Sequence, residues 1–219
     1  MDSGTKLRAL EPGDIQAMVS EGAYVVDLRD PARFGKGYIR GSINIQSPHK
    51  KFEERVAMII PPERDLILVA DSDAQVEEAV IALWKARGEH LSGYAHGGID
   101  AWVNVGLPVA TLRQLSLHEL KRWLTEAGDD IAVLDVREPF EWVLSGCIEG
   151  AILIPLGQVE RRRSEIPRER EVAVICEHGI RSSTAASLLE RHGFDRCLNV
   201  KEGMNGWRKA GYPRAKYRE

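Results

Sequence analysis

The sequence predicts an α/β fold of two similar units in tandem, each with a mostly parallel central sheet and helices on both faces. Three observations lead to this prediction. Apolar stretches of strand length alternate with stretches of helical periodicity. The 219 residues are enough for two units of about 105 residues, each with a workable core. Residues of the first half also recur in the second half in the same order.

The internal repeat is carried by charged residues, glycines, tryptophans and prolines. The segment DLRD at 27–30 corresponds to DVRE at 135–138. Four landmarks keep one offset of 105 residues, with Gly98, Trp102, Gly106 and Pro108 corresponding to Gly203, Trp207, Gly211 and Pro213. We therefore expect one domain over 1–110 and another over 111–219. The linker is expected at about Val109–Leu115, directly after the breaker Gly106-Leu107-Pro108.

The opening elements have the same order in both halves. Each half is expected to begin with a helix, at Asp14–Glu21 and at Leu117–Ala127. The second of these helices is preceded by a capping box, since Glu119 follows Ser116 by three residues. A strand comes next in each half, at Tyr24–Leu28 and at Ile131–Val136. A helical turn and a short strand after a glycine complete this part of the unit.

The central strand of each unit is expected after a surface helix. Its apolar run lies at Leu66–Ala70 in the first half and at Val172–Ile175 in the second. After the first run, apolar residues recur at the spacing of a helix that packs one face on a core; they are Val76, Ala79, Val80, Leu83 and Trp84.

Composition and charge exclude several classes of protein. Hydrophobic content of 43% and charged content of 29% are ordinary globular values. The net charge of −3 and the lack of a basic stripe argue against nucleic acid as a partner. The segment MDSGTKLRAL has no apolar signal-peptide core, and no run of 18 apolar residues occurs. Three scattered cysteines suit neither a disulfide scaffold nor a zinc site, so we expect a cytoplasmic protein without a membrane association.

The most informative segment is 172–189, which reads VAVICEHGIRSSTAASLL. Its apolar strand brings Cys176 to the carboxyl end of the sheet, where ligands bind in parallel sheets. A short loop follows, and helical periodicity begins at Arg181. The N–H groups of such a loop can converge on an anion, and the helix N-terminus adds roughly half a positive charge. Both effects favour a thiolate over a thiol, so Cys176 is expected to be a nucleophile.

The spacing of this loop narrows the chemistry. Four residues separate Cys176 from Arg181, whereas tyrosine-type and cell-cycle-type phosphatases and related arsenate reductases have five in a loop that encircles a tetrahedral phosphate. The shorter loop suits a single sulfur atom carried on the cysteine. Together with Gly179, where the loop needs a positive φ, and the Arg181-Ser182 pair, the segment resembles the rhodanese sulfurtransferases. Nearly the whole chain shares that family's order of landmarks, which is Asp-Val-Arg-Glu, Gly-x-Ile-x-Gly-Ala, the cysteine loop and Gly-x-x-x-Trp-x-x-x-Gly-x-Pro.

The resemblance implies two tandem rhodanese-like domains, the first inactive and the second catalytic. Cys176 would attack the outer sulfur of thiosulfate or a similar donor, carry a persulfide and pass the sulfur to cyanide, a thiol or a protein. Arg181 and the loop N–H groups would hold the oxyanion, and no metal or organic cofactor is implied. The implied active loop consists of Cys176, Glu177, His178, Gly179, Ile180, Arg181 and Ser182. Glu177 and His178 are expected to point outward. Ser182 and Ser183 could donate hydrogen bonds to the substrate or cap the helix, and capping is favoured.

The corresponding loop of the first half, DSDAQV at 71–76, has no thiol, arginine or glycine. Two carboxylates there would repel an anionic donor, so we expect no sulfur transfer at this loop. Asp71 and Asp73 are instead expected to cap a helix that runs from Gln75 onward.

The two other cysteines and the Asp135/Arg137 pair are expected to be structural. Asp135 and Arg137 recur in the inactive half and should form an ion pair that holds the fold. Cys147 stands where family members often have histidine, and packing is favoured there over a second thiol that resolves the persulfide. Cys197 is expected to be buried at the start of a strand.

Two other functional classes stay open at this point. One is a phosphatase or arsenate reductase on the same fold, which the short loop disfavours. The other is a non-enzymatic binding or regulatory module, which the intact second loop disfavours.

Overall fold

A computed structural model of the protein describes residues 7–126 and 130–217. The chain forms two compact units, one of Met1–Asp30 with Gly37–Ala110 and the other of Pro31–Lys36 with Thr111–Glu219. Each unit contains a parallel five-stranded sheet together with helices. The predicted α/β architecture is confirmed.

The first unit is built on a sheet whose strands are all parallel. The strands in this part of the chain, including two outside that sheet, are β1 (Ala9–Leu10), β2 (Tyr24–Asp27), β3 (Tyr38–Ile39), β4 (Ile43–Asn44), β5 (Leu66–Val69), β6 (Leu91–Ala95) and β7 (Val109–Ala110). The sheet has the order β1-β6-β5-β2-β4, while β3 and β7 form a separate antiparallel pair. The helices in this part of the chain are α1 (Pro12–Ser20), α2 (Pro31–Lys36, grouped with the second unit), α3 (Phe52–Ile59), α4 (Asp73–Arg87) and α5 (Gly98–Asn104).

The second unit repeats this sheet. Its strands are β8 (Gln114–Leu115), β9 (Ile131–Asp135), β10 (Ile152–Leu153), β11 (Glu171–Ile175) and β12 (Cys197–Val200). They are ordered β8-β12-β11-β9-β10, which is the order of their counterparts in the first unit. The helices are α6 (Leu117–Glu126), α7 (Pro139–Ser145), α8 (Val159–Arg162), α9 (Ile180–Arg191) and α10 (Gly203–Lys209).

Both faces of each sheet are buried, as expected when helices cover a parallel sheet. In the second unit, Ala173 and Ile175 of β11 contribute to a core cluster that includes residues of α6 and α10. Their neighbours Val172 and Val174 point to the opposite face and are also buried. The central strand therefore reads as an unbroken apolar run, and its end lies in the middle of the sheet.

The repeated tryptophans make the same hydrogen bond in both units. The indole Nε1–H of Trp102 donates to the carbonyl of Pro108 at 3.0 Å. Trp207 donates to Pro213 at 2.9 Å in the same way. A buried indole needs an acceptor for its N–H, so the tryptophan and proline recur together at one spacing.

Several predicted boundaries differ from the structure. Helix α1 begins at Pro12 rather than Asp14, because proline is well suited to the first turn of a helix. The segment expected as a linker contains β7 and β8, since its backbone pairs at the edges of sheets. The capping box of Ser116 and Glu119 is confirmed by reciprocal bonds of 2.9 and 3.2 Å. Ala127, the expected end of that helix, lies outside the described residues.

The predicted apolar stripe of α4 is only partly buried. Val76, Ala79 and Leu83 are buried, but Trp84 is 44% exposed. The buried face of α4 is therefore narrower than the spacing of its apolar residues predicts.

Candidate active site

Cys176 lies directly after β11, in the centre of the second sheet. Its side chain is 1% exposed. Its carbonyl accepts a hydrogen bond of 2.7 Å from the N–H of Met204, at the start of α10. The buried cysteine thus connects the end of the central strand to the start of α10.

The loop from 177 to 179 is held close to the chain that precedes α10. Gly179 has φ = +82° and is the N-cap of α9, as the sequence predicts. A Cβ on Gly179 would overlap the carbonyl of Lys201, and a Cβ on Gly203 would overlap the carbonyls of Cys176 and Glu177. Within the described residues, the N–H groups of 177, 178 and 179 donate to no backbone carbonyl. No backbone carbonyl in the described parts of the chain therefore competes for these three N–H groups.

Arg181 lies in the first turn of α9 and forms a two-point ion pair with Glu141 of α7. The two N–H···O distances are 2.5 and 2.7 Å. Burial acts to raise the pKa of Glu141, but hydrogen bonds from Arg181 and from the Glu138 backbone outweigh it and lower the pKa. The pKa of Arg181 is raised despite its burial, because Glu141 and the charge of a Cys176 thiolate both favour the guanidinium. The pair is fully charged at neutral pH.

Glu177 makes a second ion pair at the loop. Its carboxylate accepts hydrogen bonds from both terminal nitrogens of Arg208, one of them at 3.0 Å. The guanidinium of Arg137 lies 3.9 Å from the same carboxylate. Burial acts to raise the pKa of Glu177, but Arg208 and Arg137 lower it overall. Glu177 is half-buried in this pair, contrary to its expected outward position, whereas His178 is exposed as expected.

The Asp135–Arg137 pair is an ion pair, as the sequence predicts. Arg137 is fully buried and donates to Asp135 through Nε at 3.0 Å and through a terminal nitrogen at 2.7 Å. Its other N–H groups bond Ser145 Oγ and the carbonyl of Gly146 at 2.7 Å each. Asp27 and Arg29 form the same buried pair in the first unit. The motif therefore anchors the end of a strand in both units.

Ser182 lies next to the Cys176 thiol. The prediction that it caps the helix is wrong. Its Oγ lies 3.4 Å from Cys176 Sγ and donates to Asn199 Oδ1 at 2.6 Å. Because α9 begins at Ile180, Ser182 is already inside the first turn, and the helix has no side-chain cap. Ser183 is also within the helix and buried.

The other two cysteines lie in surroundings that disfavour the thiolate. Cys147 is buried, and its strand-like bridge to Ala215 supports a packing role. Burial and the charge of Asp135 raise the pKa of Cys147. Cys197 is half-buried rather than buried, and desolvation together with nearby carboxylates raises its pKa to about 12.

In the first unit, a glutamine side chain fills the loop that corresponds to the cysteine loop. Gln75 accepts a hydrogen bond from the N–H of Asp71 at 2.9 Å. Its amide nitrogen donates to the carbonyls of Leu28 and Ser47 at 2.9 and 2.5 Å. The glutamine side chain thus satisfies one loop N–H group and two nearby carbonyl groups.

The helix cap of this loop also differs from the prediction. The N-cap of α4 is Ser72, whose hydroxyl accepts from the N–H of Gln75, and Asp73 is the first helical residue. The smaller hydroxyl reaches the N3 amide as an N-cap should. Asp71 and Asp73 do not fill that role.

Four residues of the site were missed by the sequence analysis. Glu141 and Arg208 pair with predicted loop residues, and Asn199 and Gln114 form a polar connection behind the thiol. A signal existed for Asn199, which is a polar residue inside the apolar strand Cys197–Val200. Glu141 is also the N3 residue of a capping box with Glu138. Nothing in the sequence pairs it with Arg181, which lies 40 positions away.

Both halves of the chain are similar to proteins of one known family. The family model for the rhodanese-like domain matches residues 11–105 and 116–210. A putative sulfur carrier protein YrkF of Bacillus subtilis is 35% identical over 124 residues, which are 56% of this chain and 64% of that protein. The chain thus spans less than two thirds of that relative's length.

Two shorter relatives are covered over most of their length. A sulfurtransferase of Allochromatium vinosum is 35% identical over 85 residues, which are 39% of this chain and 78% of that protein. The thiosulfate sulfurtransferase GlpE of Actinobacillus pleuropneumoniae is 31% identical over 103 residues, 47% of this chain and 93% of that protein. A solved rhodanese-related protein of Thermoplasma volcanium is 32% identical, with a TM-score of 0.44, over 48% of this chain and 99% of that one.

No helix among residues 7–126 and 130–217 combines the length and the apolar character needed to cross a bilayer. The family match covers most of both units and agrees with their common sheet order. The chain therefore belongs to the rhodanese-like sulfurtransferase family, as a member with two such domains in tandem.

Proposed function

We propose that the protein transfers a sulfane sulfur from thiosulfate, or a similar donor, to a thiophilic acceptor through a persulfide on Cys176. The observation that carries this proposal is the contrast between the two corresponding loops. At one, a cysteine follows the central strand and loop amides without backbone acceptors lie beside it. At the other, Asp71 replaces the cysteine and Gln75 occupies the loop amide and nearby carbonyls. We propose sulfur transfer for the second unit alone.

The proposed reaction has two covalent steps. The Cys176 thiolate attacks the outer sulfur of thiosulfate, so that an S–S bond forms to the enzyme and sulfite leaves with the electron pair of the broken bond. The terminal persulfide sulfur is anionic, and the loop N–H groups and the N-terminus of α9 stabilise it. Cyanide then attacks this terminal sulfur, thiocyanate leaves and the thiolate returns. Two easier displacements replace one direct transfer.

Arg181 is proposed to hold the sulfonate end of the donor. Two of its nitrogens bond Glu141, and the planar guanidinium carries further N–H groups for a second oxyanion. The loop is proposed to consist of Glu177, His178, Gly179, Ile180, Arg181 and Ser182. Of these, Glu177 acts through its pair with Arg208, which holds the loop against α10.

Intact-mass spectrometry of the full chain tests the proposal. After incubation with thiosulfate and removal of the donor, we expect a mass gain of one sulfur atom that cyanide removes as thiocyanate. The Cys147→Ser and Cys197→Ser variants should keep the gain, since neither thiol adjoins the loop amides. A protein that gains no sulfur, or gains it on another cysteine, contradicts the proposal.

The same protein sample also tests the alternative hypothesis that the protein is a phosphatase. Incubated with p-nitrophenyl phosphate, the protein should release no phosphate above background, because the loop is one residue shorter than a phosphate-binding loop. Phosphate release without persulfide formation would support that hypothesis instead. A protein that does neither reaction would fit a binding or regulatory module.

A first prediction concerns the charge beside Arg181. We expect Glu141→Gln to lower the KM for thiosulfate by roughly three- to tenfold, since a full negative charge no longer competes with the dianion for the guanidinium. The glutamine carbonyl still accepts from the Glu138 N–H, so the start of α7 is kept. The measurement is steady-state kinetics with thiosulfate varied at saturating cyanide.

A matched control is available in the same unit. Arg162 and Glu165 form a similar two-point pair at the surface, with both bonds at 2.7 Å. Glu165→Gln should therefore leave the KM unchanged. An unchanged or higher KM in Glu141→Gln would show that Arg181 does not meet the donor's charge.

A further inference from the structure

A buried chain of hydrogen bonds leads away from the Cys176 thiol. Ser182 Oγ, 3.4 Å from Sγ, bonds Asn199 Oδ1 at 2.6 Å. Asn199 Nδ2 bonds Gln114 Oε1 at 2.8 Å, and Gln114 Nε2 bonds the carbonyl of Leu112 at 3.1 Å. Ser182 and Asn199 are fully buried. This series of hydrogen bonds runs from α9 to β12 and then to β8 at the edge of the sheet.

The far end of this chain fixes the direction of every bond in it. The carbonyl of Leu112 can only accept, so Gln114 must turn its NH₂ group towards it and its oxygen towards Asn199. Asn199 then has to donate to Gln114, which leaves its own oxygen facing Ser182. Since that oxygen can only accept, the single hydroxyl proton of Ser182 is committed to Asn199.

The committed proton determines what Ser182 offers to the cysteine. A hydroxyl that has given its proton to Asn199 presents only lone pairs to Sγ. It can accept a hydrogen bond from the thiol S–H but can give none to a thiolate. When the thiol loses its proton to solvent, Ser182 must rotate away from Asn199 in order to donate to the sulfur. That rotation leaves a buried amide oxygen without its donor, which is unfavourable.

We propose that Ser182, Asn199 and Gln114 are positioning residues that hold Cys176 in the thiol form at rest and so set how readily it becomes a nucleophile. The effect opposes that of the loop amides and Arg181, which favour the anion. The proposal rests on Cys176 being the reactive thiol of the proposed function. Its test below uses alkylation, so that it can fail or succeed independently of sulfur transfer.

The charged groups around the thiol are not expected to outweigh the effect of the Ser182 hydrogen bonds on the thiol. On α9 and α7, Arg181 is paired with Glu141. In the loop and on α10, Glu177 is paired with Arg208, and His178 is exposed. After β9, Asp135 and Arg137 form a buried pair, and Arg137 also lies 3.9 Å from Glu177. These charges largely neutralise one another in pairs, so a single hydrogen bond to the sulfur can shift the balance between thiol and thiolate.

At the corresponding positions of the first unit, the described residues form no such series of hydrogen bonds. The β12–β8 register pairs Asn199 with Gln114, and the corresponding β6–β1 register pairs Tyr94 with Ala9. Neither Tyr94 nor Ala9 has an amide side chain, which can both donate and accept a hydrogen bond as those of Asn199 and Gln114 do. The polar chain is thus found in the unit that has the cysteine.

The test is the rate of Cys176 alkylation by iodoacetamide in the full-length protein, followed by peptide mass spectrometry from mildly acidic to mildly alkaline pH. Asn199→Leu removes the acceptor and frees the Ser182 proton for the thiolate. We expect the alkylation rate at the acidic end to rise by on the order of tenfold. In the double variant Asn199→Leu/Ser182→Ala this gain should disappear, because the donor is gone.

Two further variants keep the test decisive. Gln114→Leu releases the Asn199 amide from its fixed orientation and should raise the rate in the same direction, even if Asn199→Leu folds poorly. Ser187→Ala, which removes another buried hydroxyl of α9, should leave the rate unchanged. If Asn199→Leu and Gln114→Leu both leave the rate unchanged or lower it, the proposal is wrong. A gain that persists without the Ser182 hydroxyl would equally overturn it.

Discussion

Replacement of Cys176 by serine is expected to lower thiocyanate formation from thiosulfate and cyanide by about a thousandfold or more. The serine hydroxyl occupies nearly the same space beside Ser182 and the loop amides, so the fold should persist. An alcohol is not deprotonated at neutral pH and cannot carry a persulfide, so the covalent route is lost. The measurement is initial rate at saturating concentrations of both substrates, with circular dichroism to verify the fold.

The other two cysteines provide the comparison for this prediction. Cys147→Ser and Cys197→Ser should each retain most of the rate, because burial disfavours the thiolate at both positions. Substantial residual activity in Cys176→Ser would mean that another group accepts the sulfur. Loss of activity in Cys147→Ser with normal folding would revive its alternative role as a second thiol.

The second large effect is on stability. We expect Arg137→Ala to lower the free energy of unfolding of the second unit by about 3–5 kcal/mol. The substitution leaves the carboxylate of Asp135 fully buried without its cation, and it also removes bonds to Ser145 and to the Gly146 carbonyl. Urea titration read by hydrogen–deuterium exchange can follow β9 and β11 separately from the first sheet.

The first unit contains a matched variant for this measurement. Arg29 makes the same two-point pair with Asp27 and bonds the carbonyl of Gly37 at 2.8 Å. Arg29→Ala should therefore destabilise β2 and β5 while leaving sulfur transfer nearly intact, as long as the second unit stays folded. A loss below about 1 kcal/mol in Arg137→Ala would indicate that the buried pair contributes little beyond an apolar replacement.

The fold was predictable because strand and helix periods and the internal repeat depend on local sequence. The central strands, the capping box of Ser116 and Glu119, and the positive φ of Gly179 all follow from short patterns. The segment expected as a linker is different. Its residues form β7 and β8 because distant strands offer them hydrogen bonds, and no local pattern reports such partners.

The position of Cys176 at the end of the central strand was predictable, but its surroundings were predictable only in part. Cys176 follows from one strand, one loop and one helix that are contiguous in the chain. Glu141 and Arg208 reach the loop through folding, and the sequence holds no fixed spacing that joins them to Arg181 or Glu177. The sequence wrongly predicts a cap for Ser182 because a hydroxyl near a helix start fits that role equally well. Only the position of Asn199 beneath it decides between the two.

The near-complete burial of Cys176 has a consequence for the direction of attack on the persulfide. The sulfane atom of the proposed persulfide would extend about 2 Å beyond Sγ, so a nucleophile would reach it more easily than Sγ of Cys176, a residue that is 1% exposed. An incoming thiol can then reach the outer atom, which yields an acceptor persulfide and regenerates the enzyme thiolate. Attack on the inner atom would instead expel hydrosulfide and leave a mixed disulfide on the protein. If the proposed persulfide forms on Cys176, shielding of its inner sulfur would favour attack at the outer sulfur and disfavour the mixed disulfide.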